Sequence, residues 1–252
     1  MHLFSSRLAA LSLLAALTVT SACQRNGYVA KATLQPVTAQ PVGPGLPDDA
    51  TAAATIAPYH QRVTDQMATV LGTAPAAITK NSGESPLGNF VADLQRSRAS
   101  REIGQPVDLG VMTNGGLRAP LPAGPITMGS VFELMPFENE LVVLDASGTV
   151  VQQLFDYAAR IKMPISGATY TVVEGKATDI RINGQLFNPA QTRTYTIAIS
   201  DYLAGGGDQL TFLKTIRPRG TGVLLRTAIV DQLQAMTAAG QPIQALVDGR
   251  VK

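Results

Sequence analysis

The sequence predicts a mixed α/β fold (α+β in character), with mixed sheets in a single compact domain over residues 48–252. Three observations point there. Helical and strand periodicities interleave along the chain without a regular βα alternation. Hydrophobic residues make up 45% of the 252 residues and charged ones 15%, values that a packed core requires and a disordered chain lacks. Turn signals such as Asn114-Gly115-Gly116 and Asn183-Gly184 punctuate the periodic segments.

The first segment reads as an address. Arg7 precedes twelve apolar or small residues, Leu8 to Val19, and Thr20-Ser21-Ala22-Cys23 follows. A basic start, a short apolar run and small residues describe a secretory signal over residues 1–22. The run is shorter than the roughly 20 residues that a membrane-spanning helix needs. Cys23, the sole cysteine, stands where the small residues end, as in a bacterial lipobox; the other reading is ordinary signal cleavage with an incidental thiol. The first reading makes the protein a lipoprotein anchored at Cys23, facing the periplasm or held on the outer membrane. Residues 23–47, with Pro36, Pro41, Pro44 and Pro47, then form an extended tether.

From Asp48 the pattern turns helical. Asp48 and Asp49 offer an N-cap, and Ile56, Val63, Met67 and Val70 recur at helical spacing up to Gly72. A second helix is expected over Leu87–Arg98, and a buried strand over Val107–Met112 that ends in Asn114-Gly115-Gly116. Further strands are expected at Glu140–Ala146, Ala168–Val173, Asp179–Ile182 and Tyr195–Ile199, with Asn183-Gly184 as a hairpin turn. Helices fall at Thr149–Ala159 and Val223–Met236, and Gln241–Gly249 forms a tail. No internal repeat is evident.

Composition closes several routes to chemistry. Twenty Lys+Arg against eighteen Asp+Glu leave +2, too little for a nucleic-acid binder. One cysteine supports neither a zinc scaffold nor a disulfide framework. Beyond the leader His60 stands alone, so a His-rich metal centre and a Ser-His-Asp triad both lack their imidazoles. There is no GxSxG elbow, P-loop or GxGxxG.

Three glycine-bearing segments carry what remains: Glu84-Ser85-Pro86-Leu87-Gly88-Asn89, Thr113-Asn114-Gly115-Gly116-Leu117-Arg118 with Met135-Pro136-Phe137-Glu138-Asn139, and Asp201-Tyr202-Leu203-Ala204-Gly205-Gly206-Gly207-Asp208. Glycine after a strand lets a ligand approach the backbone, and it equally suits a ligand-free turn. Taken in order, SPLGN, NGGLR, MPFEN and YLAGGGD resemble the C-terminal, substrate-recognition domain of the 5'-nucleotidase family. The likeness runs from about Asp48 to Val251.

The resemblance implies the family's C-terminal fold and a nucleotide or nucleoside ligand. It makes Phe137 and Tyr202 the rings that sandwich the base, Asp208 the acceptor for ribose hydroxyls, and Arg118 the charged arm toward ribose or phosphate. Asn114 and Gly116 would lie near the base. Each position has a plainer reading, as core packing, a turn cap or a surface cation. The family's metallophosphoesterase domain, which holds two divalent metals, is missing here, so no cofactor is expected in this chain and no residue is assigned as catalytic. Gly83 stands where family enzymes place a further arginine, and Thr113 where their loop begins with Asn.

The implied function is the substrate-binding half of a split 5'-nucleotidase, with the metals in a separate metallophosphoesterase chain. The alternatives are a stand-alone periplasmic nucleoside- or nucleotide-binding protein, or a degenerate interaction domain. The expected partners are therefore a nucleotide or nucleoside and that second chain, with a membrane reached only through lipid and no nucleic acid.

Overall fold

At the centre lies a five-stranded mixed sheet whose middle strands are apolar on both faces. The computed structural model describes residue 43 and residues 45–252; the leader, Cys23 and most of the tether lie outside the described residues. Ala50–Lys252 form one unit. It comprises α1 (Ala50–Met67), β1 (Val70–Ala74), α2 (Pro86–Ile103), β2 (Leu109–Val111), β3 (Gly124–Thr127), α3 (Met128–Leu134), β4 (Glu140–Ser147) and α4 (Gly148–Ile161). There follow β5 (Ile165–Ser166), β6 (Ala168–Val173), β7 (Lys176–Ile182), β8 (Gln185–Leu186), β9 (Thr194–Ser200), α5 (Asp201–Ala204), β10 (Arg219–Leu224) and α6 (Leu225–Ala238).

The sheet order is β10-β4-β9-β2-β5, and only the β2–β9 pair is parallel. β4 and β9 pair continuously from Leu141 opposite Ser200 to Ser147 opposite Thr194. Because side chains alternate, Val142, Leu144, Ile197 and Ile199 enter one core with Leu154 and Phe155 of α4. Leu141, Val143 and Ala198 enter a second core with Leu87 and Val91 of α2 and Ile229 of α6. Burial on both faces explains why these strands read as unbroken apolar runs. A three-stranded antiparallel sheet, β6-β7-β8, and an antiparallel β1–β3 pair complete the fold. The Asn183-Gly184 turn joins β7 to β8 with both residues at positive φ (49° and 79°), as a type I′ hairpin demands.

The structure corrects several sequence expectations. The first helix stops at Met67 instead of reaching Gly72, because Val70 begins β1, which pairs with β3. None of its residues is buried, so the helical spacing of Ile56 and Val63 marks no core face. α2 continues past Arg98, which pairs with Glu102 one turn on, until Gly104 closes it in the left-handed conformation. Val223 and Leu224, expected in the closing helix, belong to β10. The strands β3 and β5 and helix α3 have no counterpart among the sequence expectations; α3 starts on a reciprocal Thr127–Ser130 capping box.

The C-terminal residues are locked to the start of α2. Glu84 accepts hydrogen bonds from Asn89 Nδ2 (2.9 Å) and from the backbone N–H groups of Asp248 (3.1 Å), Gly249 (3.2 Å) and Val251 (3.4 Å). Arg250, 8% exposed, makes a two-pronged pair with Asp93 (2.8 and 3.0 Å) and a second with Asp248 (2.9 and 2.6 Å). Those bonds hold the Asp248 carboxyl below its ordinary 3.8, the Arg250 hydrogen bond contributing most. We expect Arg250→Ala to destabilise the domain by about 1–3 kcal/mol in urea denaturation, since it strips two carboxylates of their partner. A group with a depressed pKa stabilises above its unfolded value and loses that contribution as pH falls through the folded one. Asp248→Asn should therefore be less stable at neutral pH yet lose less than the parent on acidification to about pH 2.

Candidate functional site

Strand register brings three loops to one edge of the sheet. β2 and β9 run parallel, with Gly110 opposite Ala198, so their C-terminal ends open side by side. β4 is antiparallel to β9, and Leu141 faces Ser200, so the loop entering β4 arrives at the same edge. The segments 112–118, 135–139 and 200–209 consequently surround one cleft of about 330 Å³.

Gly116, Arg118, Phe137, Tyr202 and Asp208 all line this cleft, together with Met112, Thr113, Asn139 and Ser200. Phe137 and Tyr202 are 38% and 54% exposed, so neither ring is core packing. Asn114 lies elsewhere: it borders an adjoining cavity of about 240 Å³, and its carboxamide donates to the Asn81 carbonyl at 2.5 Å.

Asp208 is the hub. Its Oδ2 accepts from Thr113 Oγ1 at 2.6 Å and its Oδ1 from the Tyr202 hydroxyl at 3.1 Å, which ties two loops together. Its backbone is left-handed (φ 49°), following Gly206 at φ 89°, and holding a non-glycine residue there takes surrounding contacts. Gly207 has no room for a Cβ, because the Tyr202 ring occupies that space. Tyr202 is thus pinned between Gly207 and Asp208. Tyr157 shares the adjoining cavity with Asp208; burial raises its pKa, and the Asp208 carboxylate raises it further.

The opposite wall is organised by arginines. Arg118 Cζ stands 6.0 Å from the Phe137 ring centroid. Arg226, from α6, donates to the carbonyls of Met135 (3.2 Å) and Phe137 (3.3 Å), pairs with Glu138 and covers the Phe132 ring at 4.2 Å. Lys80 donates to the Leu117 carbonyl at 2.5 Å, closing the Gly-Gly loop from beneath. The sequence by itself assigns no role to Thr113, Tyr157, Arg226 or Lys80. Thr113 alone has a local signal, standing directly before Asn-Gly-Gly; the others reach the site through the fold.

Residues 63–215 match the family model for the 5'-nucleotidase, C-terminal domain. This chain belongs to that family. Protein UshA of Salmonella pullorum is 39% identical over 110 residues, which is 40% of this chain and 19% of UshA. Endonuclease YhcR of Bacillus subtilis is 30% identical over 168 residues, 62% of this chain and 13% of that protein. The chain therefore spans less than a fifth of the length of these curated relatives. Among solved structures, the 5'-nucleotidase precursor of Thermus thermophilus superposes with a TM-score of 0.66 at 26% identity, covering 82% of this chain and 43% of that one.

Among the described residues of this 5'-nucleotidase C-terminal domain, no group of three His, Cys, Asp or Glu converges as metal ligands. Its cleft offers two exposed rings, one carboxylate and one guanidinium, a set suited to holding a flat, polar-edged molecule.

Gly207→Ala should displace the Tyr202 ring while leaving the rest of the fold intact, seen as loss of the Tyr202 signals from their native positions in NMR. Thr113→Val, isosteric without the hydroxyl, should cost about 0.5–1.5 kcal/mol in thermal unfolding through the lost bond to Asp208.

Proposed function

We propose that this domain recognises a nucleoside or nucleotide, acting as the substrate-binding half of a 5'-nucleotidase whose two-metal hydrolytic domain is supplied by another chain. The observation that carries this reading is the pairing of Phe137 and Tyr202, both exposed, with Asp208 held between loops in the same cleft. Stacking on aromatic rings contributes roughly 1–3 kcal/mol per base and tolerates any base. The Asp208 carboxylate has acceptor capacity beyond its bonds to Thr113 and Tyr202, and a vicinal diol presents two donors to it. Arg118 adds a guanidinium, which can take a phosphate in two-pronged fashion. Gly116 leaves the backbone open to the ligand, and Asn114, two positions earlier, borders the adjoining cavity.

Family membership supports the division of labour, because the relatives matched here are much longer proteins. In the same proposal Cys23 carries a lipid anchor, and the domain works from a tether in the periplasm or on the outer membrane.

Calorimetric titration of adenosine and AMP into residues 24–252 tests the reading. Saturable binding is expected, with Phe137→Ala and Tyr202→Ala each weakening it roughly 5- to 150-fold. Phosphatase activity should be absent from this chain alone and appear, dependent on a divalent metal, when a metallophosphoesterase partner is added. Binding that survives both substitutions would refute the stacking role. Unaided turnover that persists through repurification would refute the split.

A further inference from the structure

The adjoining cavity of about 240 Å³ does not stand apart from the cleft: Met112, Thr113, Gly115 and Asp208 line both. Its remaining wall is largely apolar, with Leu117, Ile161, Met163 and Pro164, and Ser82, Ser85, Asn114 and Tyr157 are its uncharged polar residues. Its one charged lining residue is Asp208. Three cations stand close without lining it: Lys80 donates to the backbone carbonyls of Leu117 and Asn114, Arg160 lies 5.5 Å from the Tyr157 centroid, and the exposed Lys162 follows Ile161 with its Cβ against Gly83. Gly83, at φ 85°, lines the cavity without a side chain, and its backbone conformation disfavours any replacement that would carry one.

A phosphate in this space would meet a carboxylate, apolar carbons and uncharged polar groups but no lining guanidinium or ammonium, and burying a dianion there is strongly unfavourable. A small uncharged group would gain from leaving water instead. We infer that the cavity is a second subsite of the same ligand site, taking a small, uncharged, apolar substituent on the sugar of a bound nucleoside. The inference rests on the nucleoside reading proposed above and sharpens it: this cavity takes a neutral sugar substituent, while a phosphate is left to Arg118 in the cleft.

Calorimetry with adenosine, AMP and 5′-deoxy-5′-methylthioadenosine tests it on the parent domain and on variants of Ile161. This residue lines the cavity but not the cleft, and at 44% exposure it tolerates replacement. The methylthio nucleoside should bind roughly fivefold to fifteenfold tighter than adenosine, the gain from burying one or two apolar heavy atoms. Ile161→Trp, which fills the cavity, should abolish that advantage and leave adenosine affinity unchanged. Ile161→Lys should raise AMP affinity relative to adenosine.

Equal affinity for the methylthio nucleoside and adenosine, with adenosine binding still dependent on Phe137, would overturn the subsite and leave the nucleoside reading standing. The subsite is equally overturned if Ile161→Trp weakens all three ligands alike. Failure of adenosine to bind, or binding indifferent to Phe137→Ala, would overturn the nucleoside reading and the subsite with it.

Discussion

The arrangement of the cleft depends on one constraint, the pairing of β9 with two different neighbours. Its parallel partner β2 and its antiparallel partner β4 deliver an exit, a second exit and an entrance to the same sheet edge. A shift of one residue in the β4–β9 ladder would exchange the buried sets Val142/Leu144 and Leu141/Val143 between the two cores. Those cores are filled from different helices, α4 on one side and α2 with α6 on the other, so both packing faces enforce a single register. The loops inherit that certainty of position although each is irregular in itself.

On that platform, the polar groups are ordered by each other before any ligand arrives. Asp208 joins the Gly-Gly loop to the triple-glycine loop through Thr113 and Tyr202. Arg226 holds the Phe137 loop by its carbonyls. Side chains already fixed lose less freedom on binding, so more of each contact remains available as affinity. The left-handed backbone of Asp208, a non-glycine residue, is the local strain this ordering sustains.

How far the sequence discloses all this varies with the kind of force involved. β4 and β9 are legible because burial on both faces writes an apolar run into the chain, and Asn183-Gly184 because a type I′ turn has few other solutions. β3 and β10 are not, since Gly124-Pro125 and Arg219-Gly220-Thr221-Gly222 have the composition of loops and become strands only by pairing with β1 and β4. α1 misleads in the opposite sense: its spacing is helical, while none of its side chains is buried. At the cleft, Phe137, Arg118, Tyr202 and Asp208 sit in short motifs whose order carries the resemblance. Arg226 and Tyr157 sit in ordinary helices, and only the packing of α6 and α4 brings them near the other loops.

The lock around Glu84 has a consequence for the order in which the protein assembles. The carboxylate in the first glycine-bearing segment is satisfied by backbone groups 164 to 167 residues later. Until that late segment is available, Glu84 has only Asn89 among these partners and the start of α2 stays loosely held. Contacts of such long reach form slowly, because a large loop must close first. The start of α2 is thereby secured only once residues 248–251 have been made, and a chain interrupted before them would present both cores partly built around a loosely held helix.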